Sequence, residues 1–344
     1  MTVFGLLSGR RCPRFPSITA AASPLALLKR QITKCIACII RIRGEGMQLS
    51  ILRTAAAAAT VLASLVTPAF AIKPDKPRAC ALARRAMTGA VLSVPFRVVD
   101  GRIYVTVKVD GKGPFVFAVD TGASGMGRAD AGLIAALAIP PSGSGHTSDG
   151  VATAEVRTVR LASVALGDFV RRDLEVVTRD YSSKLSPEAA FSGILGRAFF
   201  GDGLLVIDYP ARRLTFTRAF ALSGEGNGVM SYERAFRVPV TIGDTLTEGN
   251  LDTGANVSFV LPKALFDRVG GGALQSAGQG KLTNTTVSTG KAMVKGPFRI
   301  GAASLSDVEV RVSDRYPELL VGAHALQHVT LLIDQRSRRI AVCP

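Results

Sequence analysis

An internal repeat is the feature that most constrains how this chain can fold. The tripeptide Asp-Thr-Gly occurs at residues 120–122 and again at residues 252–254. Each copy follows an apolar, strand-like stretch and precedes a short helix-like stretch. The halves then close with two similar segments, GILGRAFFGDGLLVIDYPARRLTF and LLVGAHALQHVTLLIDQRSRRIAV. A repeat of about 125 residues is far longer than a solenoid repeat, so it predicts two homologous lobes.

The local patterns around the repeat are mostly those of strands. Alternating β-branched residues in IYVTVKV (103–109) and VPVTI (238–242) predict strands. The segments RADAGLIAALA (128–138) and PKALFDRVG (262–270) predict helices, the second because proline stands near its start and glycine at its end. We therefore expect an all-β, bilobal fold with short helices.

The domain boundaries follow from the repeat and from composition. The segment ALSGEGNGVMSYERAF is rich in glycine and serine, which is typical of a linker. We predict a mis-assigned N-terminal extension (1–46), a signal peptide (47–71), an N-terminal segment (72–90), a first lobe (91–220), a linker (221–236) and a second lobe (237–344).

The segment from Met47 has the form of a secretory signal peptide. Arg53 precedes an apolar run over residues 54–66, and Ala69 and Ala71 supply the small residues of a cleavage site. This pattern predicts export to the periplasm or the cell exterior, with no stable membrane span after cleavage. The alternative is a retained anchor, which the short apolar run disfavours. A signal peptide that is complete from Met47 also suggests that Met47 is the true start.

The net charge of +16 does not indicate a nucleic-acid-binding protein. Residues 1–71 contain nine Lys or Arg and a single acidic residue, Glu45, and thus hold half of the excess. The remaining basic residues are scattered, and no basic block interleaved with aromatic residues is present. We therefore expect no nucleic-acid partner.

Two cysteines remain after the predicted cleavage site, Cys80 and Cys343. In an oxidising compartment two such cysteines can pair, so we predict a disulfide between them. The alternative is two unpaired thiols, with Cys80 preceding the folded region. The Cys-x-x-Cys at 35–38 lies in the leader and is interpreted as incidental.

The repeated aspartates point to chemistry beyond a turn. Two similar lobes related by a pseudo-twofold axis bring equivalent loops together, which places Asp120 beside Asp252. Two adjacent carboxyl groups share one proton, and such a pair can bind a water, deprotonate it and polarise a carbonyl oxygen. The alternative is that both lobes kept the Asp-Thr-Gly turn without the chemistry.

The motifs AVDTGAS and NLDTGAN, each followed by a hydrophobic-hydrophobic-Gly (194–196 and 320–322), resemble those of the aspartic peptidases. The segment before the first motif is most similar to the bacterial retropepsin-like group, and the resemblance covers nearly all of residues 91–344. It implies a bilobal acid-protease fold and an endopeptidase acting on peptide or protein substrates. It also implies no cofactor, no metal, and a monomer with pseudo-twofold symmetry.

The resemblance assigns roles to individual residues. Asp120 and Asp252 match the catalytic aspartates. The supporting loops comprise residues that match the family's motif on each side, namely Thr121, Gly122, Ala123, Ser124, Thr253, Gly254, Ala255 and Asn256. The threonines match those that bond across the lobes. Gly196 and Gly322 match glycines that let a strand pass beneath the loops, and residues 143–156 and 280–294 are the candidate flap hairpins.

This chain departs from pepsin-type enzymes at Ala123 and Ala255, where those commonly carry a hydroxyl. Losing that hydrogen bond to the carboxylate predicts an activity optimum less acidic than that of pepsin. Ser124 and Asn256 also differ between the lobes, so the two loops are not interchangeable.

Other chemistries find less support in the sequence. His324 and His328 have i, i+4 spacing, but neither a nearby third ligand nor an HExxH motif accompanies them or His146. Ser124 lacks a GxSxG elbow, which argues against a serine hydrolase. Asp208 and Asp334 are interpreted as structural turn residues. The alternatives to an enzyme are a peptide-binding or inhibitory pseudo-protease and a structural envelope protein.

Overall fold

The computed structural model describes residues 78–183, 185–224, 228–234 and 236–344. The predicted extension (1–46) and signal peptide (47–71) lie outside the described residues, as do residues 72–77 of the predicted N-terminal segment. No helix in the described part of the chain combines the length and the apolar character needed to cross a membrane.

The first half of the chain begins with helix α1 (Arg78–Ala86) and a 3-10 turn (Met87–Gly89). Its strands are β1 (Ala90–Pro95), β2 (Arg97–Val99), β3 (Arg102–Val109), β4 (Lys112–Val119), β5 (Gly127–Asp130), β6 (Pro141–Ser148), β7 (Thr153–Leu166), β8 (Phe169–Arg179), β9 (Gly193–Leu195), β10 (Leu204–Asp208) and β11 (Arg213–Thr217). Helix α2 (Ala131–Leu137) follows β5, and a second 3-10 turn (Arg197–Phe200) follows β9.

The second half contains helix α3 (Lys263–Arg268) after its fourth strand and helix α4 (Ala323–Leu326) near its end. Its strands are β12 (Val229–Ser231), β13 (Arg237–Ile242), β14 (Thr245–Asp252), β15 (Phe259–Pro262), β16 (Gln275–Lys281), β17 (Thr286–Val294), β18 (Phe298–Ile300), β19 (Ala303–Leu305), β20 (Val308–Ser313), β21 (Leu319–Gly322), β22 (Thr330–Asp334) and β23 (Arg339–Cys343). The predicted all-β, bilobal fold with short helices is confirmed.

A six-stranded sheet joins the two halves, in the order β1-β11-β10-β22-β23-β12. Each half supplies three strands, and the repeat-related strands β10 and β22 are the central antiparallel pair. Val206 and Leu332 occupy equivalent positions in the two repeats and pair with each other. The pseudo-twofold axis therefore passes between them, and this sheet forms the shared base of both lobes.

Each lobe adds its own sheet with the same core order. In the first lobe the order is β2-β3-β4-β9-β5-β8-β7-β6, and in the second it is β16-β17-β20-β15-β21-β14-β13-β18-β19. The equivalent strands β4 and β14 each run parallel to a short strand, β9 or β21, that follows much later in the chain. This parallel pairing needs a long crossover, which explains why so many residues separate each Asp-Thr-Gly from its matching glycine.

The two faces of the shared sheet are both covered. Strand alternation sends Leu205 and Leu331 into the main core, while Leu204 and Leu332 point to the opposite face. On that opposite face they pack with Ala79 and other residues of helix α1. The described part of the N-terminal segment is thus folded against the sheet.

A disulfide joins helix α1 to the last strand. Cys80 and Cys343 are bonded, with their Cα atoms 5.7 Å apart. The predicted disulfide is confirmed, and the alternative of an unpaired Cys80 ahead of the folded region is wrong, because α1 packs on the sheet that contains β23.

Both predicted helices begin later than expected. In the predicted helix 128–138, the first residues belong to β5, which is held between β8 and β9. Asp130 then caps α2 by accepting a hydrogen bond from the Gly132 amide at 2.9 Å. Likewise Pro262 ends β15 and is the N-cap of α3. In both cases pairing in the sheet takes precedence over local helical pattern.

The segment predicted as a linker, 221–236, also contains regular structure. Residues Val229–Ser231 form β12, which pairs with β23 at the edge of the shared sheet. Three consecutive residues of strand give too short a pattern to detect in sequence.

We predict that replacing both Cys80 and Cys343 with serine lowers the free energy of unfolding by about 2–4 kcal/mol, because the disulfide restricts the unfolded chain. Thermal unfolding measures the loss, with Asp168→Asn, a substitution in an exposed turn, as the control. Peptide mapping without reductant should recover the Cys80 and Cys343 peptides joined. Recovery of both as alkylated free thiols would contradict the prediction.

Candidate active site

Two equivalent strand ends place the repeated aspartates. Asp120 directly follows β4, and Asp252 is the last residue of β14. The Asp120 amide donates to the Leu195 carbonyl at 3.1 Å, and Asp252 pairs with Gly322. Each aspartate is therefore fixed by the parallel strand beside it, β9 or β21.

The glycines at the ends of β9 and β21 allow the close packing beneath the two loops. A Cβ on Gly196 would lie 2.7 Å from the Gly125 carbonyl oxygen and 3.0 Å from that of Ala123. The equivalent Gly322 lies against the carbonyl oxygens of Ala255 and Val257. The adjoining amides donate to these same loops, for example Arg197 to Ala123 at 3.0 Å. Only glycine fits at both crossings.

Crossed threonine hydrogen bonds lock the two loops together. The Thr121 hydroxyl donates to the Leu251 carbonyl at 2.8 Å and accepts from the Thr253 amide at 3.0 Å. The Thr253 hydroxyl donates to the Val119 carbonyl at 2.8 Å and accepts from the Thr121 amide at 3.0 Å. Both threonines are buried, so each hydroxyl fills its donor and acceptor capacity across the lobe boundary.

The crossed threonine hydrogen bonds bring each carboxyl group against the opposite loop. A Cβ on Gly122 would lie 2.5–2.7 Å from the carboxyl atoms of Asp252, and one on Gly254 would overlap the carboxyl of Asp120. Within its own loop, Asp120 Oδ1 accepts from the amides of Gly122 at 2.7 Å and Ala123 at 3.0 Å. Asp252 Oδ1 accepts from the Gly254 amide at 2.8 Å. The structure thus brings Asp120 and Asp252 side by side.

The two carboxyl groups have different electrostatic environments. Burial, the charge of Asp120 and a hydrogen bond shared with Asp120 raise the pKa of Asp252 well above its usual range. The amides of Gly254 and Ala255 act in the opposite direction and do not outweigh them. The pair therefore retains one proton at a pH where isolated aspartates are ionised.

The remaining loop residues complete the two turns. Ala123 is buried and Ala255 is partly buried, and neither brings a hydroxyl to its carboxylate. The Ser124 carbonyl accepts from Arg128 at 3.1 Å within the first lobe. Asn256, at the equivalent position, instead bonds to Asp100 and Arg102 of the opposite lobe. The sequence difference between the lobes thus corresponds to different contacts.

The predicted flap segments form two hairpins, β6–β7 and β16–β17, whose tips meet across the lobes. The Asn284 amide donates to Asp149 Oδ2 at 2.7 Å. Its side-chain Nδ2 donates to the carbonyls of Thr147 at 2.7 Å and Ala152 at 2.9 Å. Although burial opposes the effect, backbone hydrogen bonds from both tips hold the pKa of Asp149 below its usual range. We call this tip-to-tip contact, formed by Asp149 and Asn284, the tip contact.

Residues from the ends of β8 and β20 brace the tips near the carboxyl pair. Arg179 donates to the Thr283 carbonyl at 2.8 Å and to Asn284 Oδ1 at 3.0 Å. Tyr316, in the second lobe, faces the tip of the first hairpin, since a Cβ on Gly150 would lie 3.7 Å from its ring. Burial raises the pKa of Tyr316, and the charges of Glu318, Asp252 and Asp149 add to that shift. Tyr316 therefore contacts the first tip and lies within electrostatic range of the second carboxyl group.

The histidines do not gather at one point. His324 Nε2 lies 2.9 Å from Asp100 Oδ1 on the surface, and no cluster of three or more potential metal ligands occurs among the described residues. Asp334 is fully buried and binds Arg336 at 3.0 Å and the Leu222 amide at 3.1 Å, while Asp208 accepts from the Ala211 amide at 2.9 Å. Both aspartates hold turns, as predicted.

Several residues around the site were not found from the sequence. Asp149 belongs to an Asp-Gly turn signal, which indicates a hairpin tip but not its partner. Arg102 follows a similar Asp-Gly turn, and Asn284 and Tyr316 belong to no recognisable pattern. Their positions depend on how the lobes face each other.

We predict that Asp252→Asn stabilises the protein relative to wild type, and that this difference grows as pH rises. The folded state keeps a proton on the aspartate pair that the unfolded chain releases, so the free energy of unfolding falls as pH rises from about 4 toward the raised pKa of Asp252, about 8. Asparagine removes this dependence, so the free energy of unfolding of the variant should exceed that of wild type by a margin that is small near pH 3.5 and grows by up to about 1.4 kcal/mol per pH unit above pH 4. Denaturant unfolding across this range measures it. Asp168→Asn, in an exposed turn, is the control, and parallel pH curves for wild type and Asp252→Asn would contradict the assignment.

We predict that Asn284→Ala loosens the tip contact. It removes the side-chain bonds to Thr147 and Ala152, each worth about 1 kcal/mol, so amide hydrogen exchange at residues 149–152 should accelerate about tenfold or more. The matched control is Thr285→Ala, since this exposed hydroxyl bonds only to the neighbouring Thr286 carbonyl at 3.4 Å. Equal exchange in both variants would show that the tips are held by other contacts.

Comparison with known protein families matches this chain to one family model, described as aspartyl protease. The model matches twice, over residues 105–199 and 238–328, which together exceed half of the chain. The two matches coincide with the two lobes, and each contains or adjoins one Asp-Thr-Gly loop and its matching glycine. A comparison with curated proteins gives no match. Two family matches in one chain agree with a retropepsin-like, two-lobed protein, and the chain belongs to the aspartyl protease family.

Proposed function

We propose that the protein is an aspartic endopeptidase that hydrolyses peptide bonds with Asp120, Asp252 and a water molecule. The observation that carries the proposal is the carboxyl pair, locked by crossed threonines, in which burial and mutual charge keep one proton on the pair. A pair in which one member is ionised and the other protonated is what general acid–base attack on an amide requires.

The proposed reaction uses the two carboxyl groups in opposite roles. The ionised Asp120 takes a proton from the water as its oxygen attacks the peptide carbonyl carbon. The protonated Asp252 donates to the carbonyl oxygen, on which negative charge develops. Asp120 then gives this proton to the amide nitrogen while Asp252 takes a proton back from a hydroxyl of the tetrahedral intermediate, and the carbon–nitrogen bond breaks. The balanced products are a carboxylic acid and an amine, with the pair returned to its starting protonation state.

Extended peptides are the substrate class that the surrounding strands favour. Strands β6 and β16, which lead into the two tips, lie at the ends of their sheets. Edge strands offer unpaired backbone groups that bind an extended peptide by adding a strand. Because both lobes provide such an edge, a peptide can be held on both sides of the scissile bond, which favours endopeptidase action. One chain supplies both halves of the site, so we expect a monomer to suffice.

We propose that the protein acts in the periplasm or outside the cell. The signal-peptide pattern over residues 47–71 supports export, and the Cys80–Cys343 disulfide is typical of an oxidising compartment. N-terminal sequencing of the exported protein tests this, and a mature chain that begins before Met47 would contradict it.

We predict that the protein cleaves a peptide library with greatest activity between about pH 4 and pH 7. Activity should fall at higher pH as the aspartate pair loses its shared proton through the raised pKa of Asp252. Asp120→Asn and Asp252→Asn should each lower kcat by at least about a thousandfold. Asp168→Asn is the control that should retain activity.

The same experiment separates the proposal from a pseudo-protease that binds peptides without turnover. Saturable peptide binding with no cleavage at any pH would favour that alternative. Equal cleavage by wild type and both asparagine variants would refute the carboxyl pair as the catalyst. An optimum near pH 2 would contradict the raised pKa of Asp252.

A further inference from the structure

Four side chains form a hydrogen-bonded bridge between the lobes beside the second aspartate loop. Asp100 and Arg102, in the first lobe, flank the turn between β2 and β3, while Asn256 and His324 belong to the second lobe. Arg102 Nη2 donates to Asn256 Oδ1 at 3.0 Å, and Asn256 Nδ2 donates to Asp100 Oδ2 at 2.6 Å. Asp100 Oδ1 lies 2.9 Å from His324 Nε2. We call this set the cross-lobe bridge.

The bridge ends on Gly254, a residue that contacts both carboxyl groups. Arg102 Nε donates to the Gly254 carbonyl at 2.7 Å. The Gly254 amide donates to Asp252 Oδ1 at 2.8 Å, and the Gly254 Cα packs against the carboxyl of Asp120. Gly254 is therefore bound through its carbonyl by Arg102 and through its amide by Asp252. A shift of this residue would move a hydrogen-bond donor away from one carboxyl group and a packing contact away from the other.

Among the described residues, the first loop shows no bridge of the same kind. There the carbonyl of Ser124, at the position equivalent to Asn256, accepts from Arg128, four residues later in the same lobe. At this position the second loop is thus held by side chains of the opposite lobe, whereas Ser124 bonds within its own lobe.

We propose that Arg102 is a positioning residue for the carboxyl pair, acting through the Gly254 peptide, and that Asn256, Asp100 and His324 hold its guanidinium in place. The inference rests on the proposed function, since it assigns Arg102 to the same reaction. Arg102 touches neither the scissile bond nor the water. Its effect is to keep the Gly254 amide aimed at Asp252 Oδ1 and the two carboxyl groups at their mutual distance.

Loss of Arg102 is expected to raise the pKa of Asp252. The other groups that act electrostatically on or near Asp252 are Asp120, Arg197, Tyr209 and Tyr316, and none of them belongs to the bridge. The Gly254 amide lowers the pKa of Asp252 against the effects of burial and Asp120. Weakening that hydrogen bond raises the pKa of Asp252 further. The alkaline limb of the activity profile should then move to higher pH.

The test compares Arg102→Met, Arg102→Lys and Asn256→Ser with wild type. Methionine removes both charge and donors, whereas lysine keeps the charge but cannot donate to Gly254 and Asn256 in the same fork geometry. Asn256→Ser copies the first loop and removes only the middle of the bridge. The control is Arg160→Met, which alters an exposed ion pair with Asp173 and Glu175. Thermal unfolding of each variant establishes that it is folded.

We expect Arg102→Met to lower kcat by about 10- to 100-fold, because a misplaced catalytic group has effects of that size, with KM within about threefold of wild type. Its alkaline limb should move up by about half a pH unit or more. Arg102→Lys should recover part of both effects, and Asn256→Ser should show smaller changes in the same direction. If Arg102→Met does not fold, the other two variants carry the same comparison.

A kcat within twofold of wild type with an unmoved alkaline limb would overturn the proposal. A raised KM with unchanged kcat would also overturn it, because that result would make Arg102 a substrate contact. Titration of the Asp252 carboxyl carbon by NMR gives a readout that needs no turnover. If wild type fails to cleave peptides but this titration moves in Arg102→Met, the proposed function fails and the positioning of Asp252 stands. An unmoved titration refutes the positioning.

Discussion

The crossed hydrogen bonds of Thr121 and Thr253 are the interaction on which the rest of the site depends. Each hydroxyl binds backbone of the opposite loop in a buried environment, where an unpaired polar group would be costly. The only way to satisfy both is to hold the loops at a single distance and orientation. The position of each carboxyl group is therefore decided by the backbone of the lobe that it does not belong to. Glycine at 122 and 254 then lets each carboxyl group lie against that opposite backbone.

The close approach has an electrostatic consequence that neither lobe could produce alone. Burial raises the pKa of Asp252, and the neighbouring charge of Asp120 raises it further. The same fold removes the symmetry of the repeat, because Asn256 reaches Asp100 and Arg102 while Ser124 stays within its lobe. Two nearly equivalent loops thus acquire distinct roles from their surroundings, and a single chain can fix this difference where two identical subunits could not.

The sequence predicted the parts of the structure that repeat, and it was less informative about those that do not. Asp120 and Asp252 were found because the same tripeptide follows equivalent strands, and Gly196 and Gly322 because the closing segments match. The start of α2 was misplaced, since Asp130 both ends a strand and caps a helix, and only sheet pairing decides between them. The contact of Asn284 with Asp149 and that of Arg102 with Gly254 each join residues more than a hundred positions apart. Such contacts depend on the relative placement of the lobes, which no local pattern encodes.

The shared sheet also sets when during biosynthesis the site can exist. Its central pair joins β10 of the first half to β22 near the end of the chain, and the disulfide uses Cys343, the penultimate residue. A nascent chain that has emerged as far as the first lobe has one carboxyl group, half of the threonine lock and half of the base sheet. Neither a proton-sharing pair nor a complete cleft can form until β22 and β23 have left the ribosome. A hydrolase with this architecture is thereby unable to attack its neighbours while it is still being made, a safeguard that comes from strand order alone.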